Sequence, residues 1–205
     1  MRSCQKCVGN LAKYSIVPRP IFGGGKGYPI LLIGQAPGKT EYERHAPFQG
    51  EAGRSIKSLF ASCGLRDFDR KVYQTSITKC FPGRRPTASS DRAPSAQEVT
   101  NCSPFLARQL TLLQPKLIVC LGMLSAKAYV EMREREEPGY GRATFGKAST
   151  GDLKVPDLVG RRFVWKGAVI LPMIHPAGSA NGSRALYPEQ DQESKRLLRQ
   201  VLGGL

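Results

Sequence analysis

Several stretches of the chain are apolar without interruption and end at glycine. Pro29-Ile30-Leu31-Leu32-Ile33-Gly34 is one, the pattern of a short strand buried on both faces of a parallel sheet. Leu117-Ile118-Val119-Cys120-Leu121-Gly122 repeats it, and residues 72–77 alternate well enough for a further strand. Between these runs the period changes. Residues 52–63 set Ile56, Leu59 and Phe60 on one helical face. Ser95-Ala96-Gln97-Glu98 is a capping box, opening a helix that runs to about Leu113 and that Pro104 is able to bend. Residues 124–132 read as helix, and a polar helix over residues 190–202 closes the chain. Residues 83–94, rich in Pro, Ser, Thr and Arg, read as an exposed loop, and residues 139–160 as a long irregular excursion. Residues 162–165 and 169–173 flank Lys166-Gly167 and pair as a hairpin. The alternation predicts one domain over residues 1–205, a three-layer α/β/α fold with a mainly parallel central sheet. Its ligand crevice belongs beyond the carboxyl ends of the strands, where the loops after Ile33, Ile77, Leu121 and Met173 converge.

Charge adds the first chemical clue. The 205 residues carry 31 Lys and Arg against 16 Asp and Glu, a formal net charge of +15. A folded domain this basic favours a polyanionic partner, most often nucleic acid. The basic residues are spread along the chain, with pairs at Arg84-Arg85 and Arg161-Arg162 and no lysine tail. No basic amphipathic helix points to a membrane surface, and no apolar run is long enough to span one. Met1-Arg2-Ser3-Cys4 leads straight into a cysteine motif without a charged-then-apolar leader, so a cytoplasmic protein is expected, and a monomer.

Cys4 and Cys7 form a C-x-x-C, Cys80 follows a predicted strand, and Cys102 lies early in the capped helix. With disulfides disfavoured, metal ligation is the better reading. One C-x-x-C and two distant thiolates suit either a [4Fe–4S] cluster or a structural zinc, and spacing does not choose. Cys63 and Cys120 lie within apolar faces and read as core.

Gly34-Gln35-Ala36-Pro37-Gly38-x-x-Glu41 follows the first strand, and Pro47-Phe48-x-Gly50-x-Ala52-Gly53 precedes the next helix. With Val72-Tyr73-x-Thr75, Lys79-Cys80, Cys102, the strand opened by Pro115-Lys116, and His175-Pro176-Ala177, the chain resembles the family 4 uracil-DNA glycosylases, as a divergent member. The resemblance runs from Cys4 to about Ala177 with the motifs in the family's order. It implies a four-stranded parallel sheet flanked by helices, and a structural [4Fe–4S] cluster on Cys4, Cys7, Cys80 and Cys102. It further implies DNA containing a deaminated base as partner, for a cytoplasmic, nucleoid-associated repair enzyme of prokaryotic type.

Such chemistry flips the nucleotide out of the duplex before the glycosidic bond is reached. Phe48 matches the aromatic on which the base stacks, and His175 the catalytic histidine donating to the base O2 as charge develops. Amides of the Gly34, Gln35, Ala36 loop would face base and sugar. Glu41 corresponds to an acidic position able to orient water or stabilise the sugar cation, or else it is a first-turn helix carboxylate. Arg84, Arg85, Ser179 and Arg184 are the candidate DNA contacts, and Leu186 a weaker candidate for the intercalating wedge.

The chain departs from the family at two chemical positions. Gln35 stands in place of Glu, which removes a negative charge beside the sugar. Ser76 stands in place of the Asn that reads the uracil edge, exchanging a fixed donor–acceptor pair for a rotating hydroxyl. Uracil release without strand cleavage is the leading expectation. The alternatives are release of hypoxanthine or xanthine, and a damage-binding protein without catalysis.

Overall fold

In a computed structural model, the protein is described over residues 1–23, 27–147, 149–176 and 180–205. Five strands form one sheet: β1 (Ile30–Gly34), β2 (Val72–Ser76), β3 (Leu117–Leu121), β4 (Phe163–Trp165) and β5 (Ala168–Met173). Their order is β2-β1-β3-β5-β4. The first four neighbours run parallel, and β4 lies antiparallel on the edge. The four-stranded expectation is therefore short by one strand. The extra one is the first arm of the expected hairpin, turned through Lys166 and Gly167, both with positive φ, 49° and 79°. Two successive left-handed residues match the twist of antiparallel neighbours, which is why this short arm pairs.

The helices are α1 (Val8–Ala12), α2 (Lys39–Arg44), α3 (Glu51–Ser62), α4 (Phe68–Lys71), α5 (Ala96–Leu113) and α6 (Met123–Glu136). Four more follow: α7 (Tyr140–Phe145), α8 (Val155–Leu158), α9 (Asn181–Leu186) and α10 (Pro188–Leu202). Because side chains alternate along a strand, each apolar strand feeds two cores. Ile30, Leu32, Leu117, Val119, Leu121 and Met173 meet α3 and α10 through Ile56, Phe60, Leu197 and Leu198. Leu31, Ile33, Ile118, Cys120 and Ile170 meet α5 and α6 through Leu106, Leu110, Tyr129 and Val130. Burying a side chain such as Phe60 completely stabilises by about 1.5–3 kcal/mol. Three layers follow directly. Cys63 and Cys120 are buried in these cores, as their positions on apolar faces required.

Helix α5 opens on the expected capping box. Ser95 Oγ accepts from the Glu98 amide at 3.3 Å, and Glu98 Oε2 accepts from the Ser95 amide at 2.7 Å. Pro104 sits inside it without ending it. The excursion over residues 139–160 is more ordered than its glycines imply. It holds α7, a 3-10 turn (Thr150–Asp152) and α8, anchored by Leu153 and Leu158 in the α5–α6 core. Segments this short have no readable period, and burial against the sheet forms them instead.

Candidate active site

At the carboxyl end of the sheet a cleft of about 760 Å³ opens. It lies where the chain switches direction, since β1 connects to a neighbour on one side and β3 to a neighbour on the other. Its walls include the loop from Gly34 to Gly38, Phe48, Ser76, Gly122 and His175. The imidazole and the planar ring that the sequence singled out therefore face one open space.

Phe48 is held there against its own backbone preference. Its φ is 52°, a left-handed conformation that is an outlier for a bulky residue and costs of order 1–3 kcal/mol. Two glycines make room for it. A methyl on Gly53 would lie 1.9 Å from the Phe48 carbonyl oxygen, so no other residue lets α3 start against this turn. A methyl on Gly34 would lie 3.0 Å from the Phe48 ring and 3.5 Å from Ser76 Oγ. Gly34 and Ser76 are register partners across β1 and β2. Ring and hydroxyl consequently stand together at the floor of the cleft.

His175 follows β5 and packs against Gly122, whose absent side chain would lie 3.4 Å from the His175 Cβ. Burial lowers its imidazole pKa below the ordinary value, and the Arg184 charge lowers it further. The neutral ring is thereby favoured, which is the form suited to donating a single hydrogen bond. Arg184, on α9, donates to the His175 carbonyl at 2.9 Å and to Asn181 Oδ1. It is a half-buried brace beside the histidine. Leu186, at the end of the same helix, is 75% exposed. Ser179 lies outside the described residues.

Glu41 lines the cleft with both carboxylate oxygens engaged. Oε1 accepts from the Gln49 and Gly50 amides at 2.8 and 2.7 Å, and Oε2 from the Gly38 amide at 3.0 Å. It thus caps α2 and ties the loop after β1 to the turn that carries Phe48. Glu41→Gln would replace one acceptor by a donor facing an amide, at about 1–3 kcal/mol. The expected outcome is a melting temperature several degrees lower and a raised KM with an unchanged pH profile. A wild-type melt with collapsed kcat would instead assign the carboxylate to the chemistry. The Gln35 carbonyl accepts from the Thr78 amide at 3.3 Å, and its residue lines the cleft with Ala36.

Arg84 and Arg85 are exposed. Arg84 pairs with Asp91 at 2.8 Å across a short bridge, and Asp91 Oδ2 also accepts from the Lys39 amide at 3.1 Å. Behind them, Arg92 makes a two-pronged pair with Glu98 at 2.5 and 2.9 Å and lies over the Tyr14 ring. That pair closes the loop onto α5. Asp91 and Arg92 lack any motif in the sequence, and only their partners mark them.

Cys4, Cys7, Cys80 and Cys102 line a single cavity on the far side of Lys79 and Pro82. Backbone and amide donors point at the sulfurs: the Lys79 amide reaches Cys102 Sγ at 3.4 Å and Asn101 Nδ2 reaches Cys7 Sγ at 3.5 Å. Residues that are distant in sequence are thus gathered as a donor set of four thiols, with N–H groups suited to a sulfur-bound anion.

Residues 22–201 match the uracil DNA glycosylase superfamily. The chain belongs to that superfamily. Within it the relatives it is similar to include type-4 members. The chain is 30% identical over 184 residues to the type-4 uracil-DNA glycosylase of Sulfurisphaera tokodaii, covering 86% of this chain and 71% of that protein. It is 38% identical over 125 residues to that of Archaeoglobus fulgidus, covering 61% and 57%. With that of Pyrobaculum aerophilum it shares 32% over 141 residues, covering 69% and 66%. The chain thus matches between 57% and 71% of the length of these three relatives. Among the described residues of this superfamily member, no helix is long and apolar enough to cross a membrane.

Proposed function

We propose that this protein is a DNA repair glycosylase that takes uracil out of the duplex and hydrolyses its N-glycosidic bond, leaving an abasic site. The observation that carries the reading is the shared cleft of Phe48, Ser76 and His175 at the strand ends. The flipped base stacks on Phe48, whose ring offers a flat apolar face. Neutral His175 donates to the base O2 as negative charge accumulates on the leaving group. Amides of the Gly34, Gln35, Ala36 loop face base and sugar. The net charge of +15 attracts the phosphates, with Arg84 on the cleft wall and the exposed Arg85 after it as contacts, and the exposed Leu186 as the wedge. Release of uracil from a single-uracil oligonucleotide, read as alkali-dependent cleavage, tests the proposal. Tight binding without release would support a non-catalytic damage sensor.

Cys4, Cys7, Cys80 and Cys102 would hold a [4Fe–4S] cluster, and the donor set fits it. When bound, the cluster supplies Fe–S bonds that cross-link the N-terminal segment, the loop after β2 and α5. Among the described residues no three His, Cys, Asp or Glu side chains converge on a single-ion site.

A second reading changes only the base. Ser76 is buried at the cleft floor and offers a rotating hydroxyl in place of a fixed donor–acceptor pair, a change that would suit hypoxanthine or xanthine. Ser76→Asn is expected to raise uracil kcat/KM by about ten- to hundredfold over either purine, the value of one or two good hydrogen bonds. Competing oligonucleotides measure this, and an unchanged profile would remove Ser76 from base reading.

A further inference from the structure

Lys79 is the one buried Lys or Arg among the described residues, 1% exposed. Its amine donates to the Ser76 carbonyl. None of the ion pairs formed among the described residues includes it. An ammonium taken out of water calls for an opposing charge, and one carbonyl dipole is a poor substitute. The residue also lines the cavity of the four thiols, and its own amide donates to Cys102 Sγ at 3.4 Å. A [4Fe–4S] core of charge +2 on four thiolates carries a net double negative charge. A buried amine without an ion-pair partner and a site that would carry net negative charge when loaded therefore meet at this wall.

We infer that Lys79 is the buried counter-cation of the cluster and, through the Ser76 carbonyl, the positioning residue that ties the floor of the base pocket to it. The inference rests on the cysteine assignment above. Ser76 lies only four residues before Cys80, and the lysine side chain folds back across that interval. Through its amine and its backbone amide, one residue thus touches both sites. Removing its charge weakens cluster retention, and removing its hydrogen bond loosens the floor under Phe48.

The two roles separate in three variants. Lys79→Met deletes charge and donor, Lys79→Gln keeps an amide donor without charge, and Lys79→Arg keeps the charge. Iron loss to excess EDTA, followed by visible absorbance, is expected to be at least tenfold faster in the Met and Gln variants, with Arg near wild type. KM for a uracil oligonucleotide is expected to rise at least fivefold in the Met variant with kcat changed less, and to stay near wild type in the Gln variant, since lost ground-state binding acts on KM. Equal iron-loss rates and equal KM in wild type and Lys79→Met would overturn the inference. Should circular dichroism show that Lys79→Met is unfolded, Lys79→Gln against wild type decides it, and equal iron-loss rates again overturn it. A wild-type protein without iron would instead overturn the cysteine assignment, so the two failures are distinct.

Discussion

Replacing His175 by alanine is expected to lower uracil release by about 10²- to 10³-fold while DNA binding stays close to wild type, as for loss of one donor to a developing oxyanion. The donor acts on charge that exists only near the transition state, so kcat and kcat/KM fall together and KM moves little. Burial and the Arg184 charge both hold the imidazole below its ordinary value near 6.5. The neutral ring therefore persists through neutral pH, and the acid limb of the wild-type rate profile is expected below about 6.5. The same shift carries a stability sign. In acid the unfolded chain takes up the proton before the folded one does. Stability linked to this group is whole above about 6.5 and is lost as pH falls from there toward the depressed folded value. Single-turnover release measured across pH, with thermal melts alongside, checks both. A His175→Ala variant that cleaves at wild-type rate would remove the imidazole from the mechanism.

Cys80→Ala and Cys102→Ala are expected to be the most damaging substitutions outside the cleft. Each removes one thiolate from a set that joins α1's neighbourhood, the loop after β2 and α5. Metal binding at such a site contributes directly to folding. Losing it should lower the melting temperature by on the order of 10 °C or more, taking about 2–4 °C per kcal/mol at this size. Iron content and visible absorbance should fall together. Cys120→Ala, which only empties core volume, should keep its iron and lose about 1–2 kcal/mol. The loop that carries Cys80 begins directly after Ser76, so residual protein should show raised KM for uracil DNA. A colourless wild type holding stoichiometric zinc, or a Cys102→Ala protein with full iron, would contradict the assignment.

Much of the architecture was legible from local pattern. The apolar runs at residues 30–33 and 117–121 became strands buried on both faces, because a continuous run has no polar face to present to water. Ser95 and Glu98 announced the start of α5, since a cap is completed within four residues. The cleft was foreseeable as well, because its walls are the loops after parallel strands and those loops converge by topology. In the short helices the pattern failed. Residues 140–145 and 155–158 are too brief to show a period, and Tyr140, Phe145 and Leu158 find their places only against α6 and the sheet.

What the amino-acid sequence determined by itself is what nearest neighbours decide: where strands and caps begin, which cysteines are core, and which residue types are available for nucleobase chemistry. What the tertiary structure alone decided is how those groups are paired. Glu41 is tied to amides up to nine residues away, Asp91 joins Arg84 to the Lys39 amide 52 residues back, and the buried Lys79 amine donates to the Ser76 carbonyl. The physical reason is range. Propensity and burial period act over a turn or a strand, whereas a carboxylate or an ammonium selects its partner only after folding has removed the water that would otherwise solvate it.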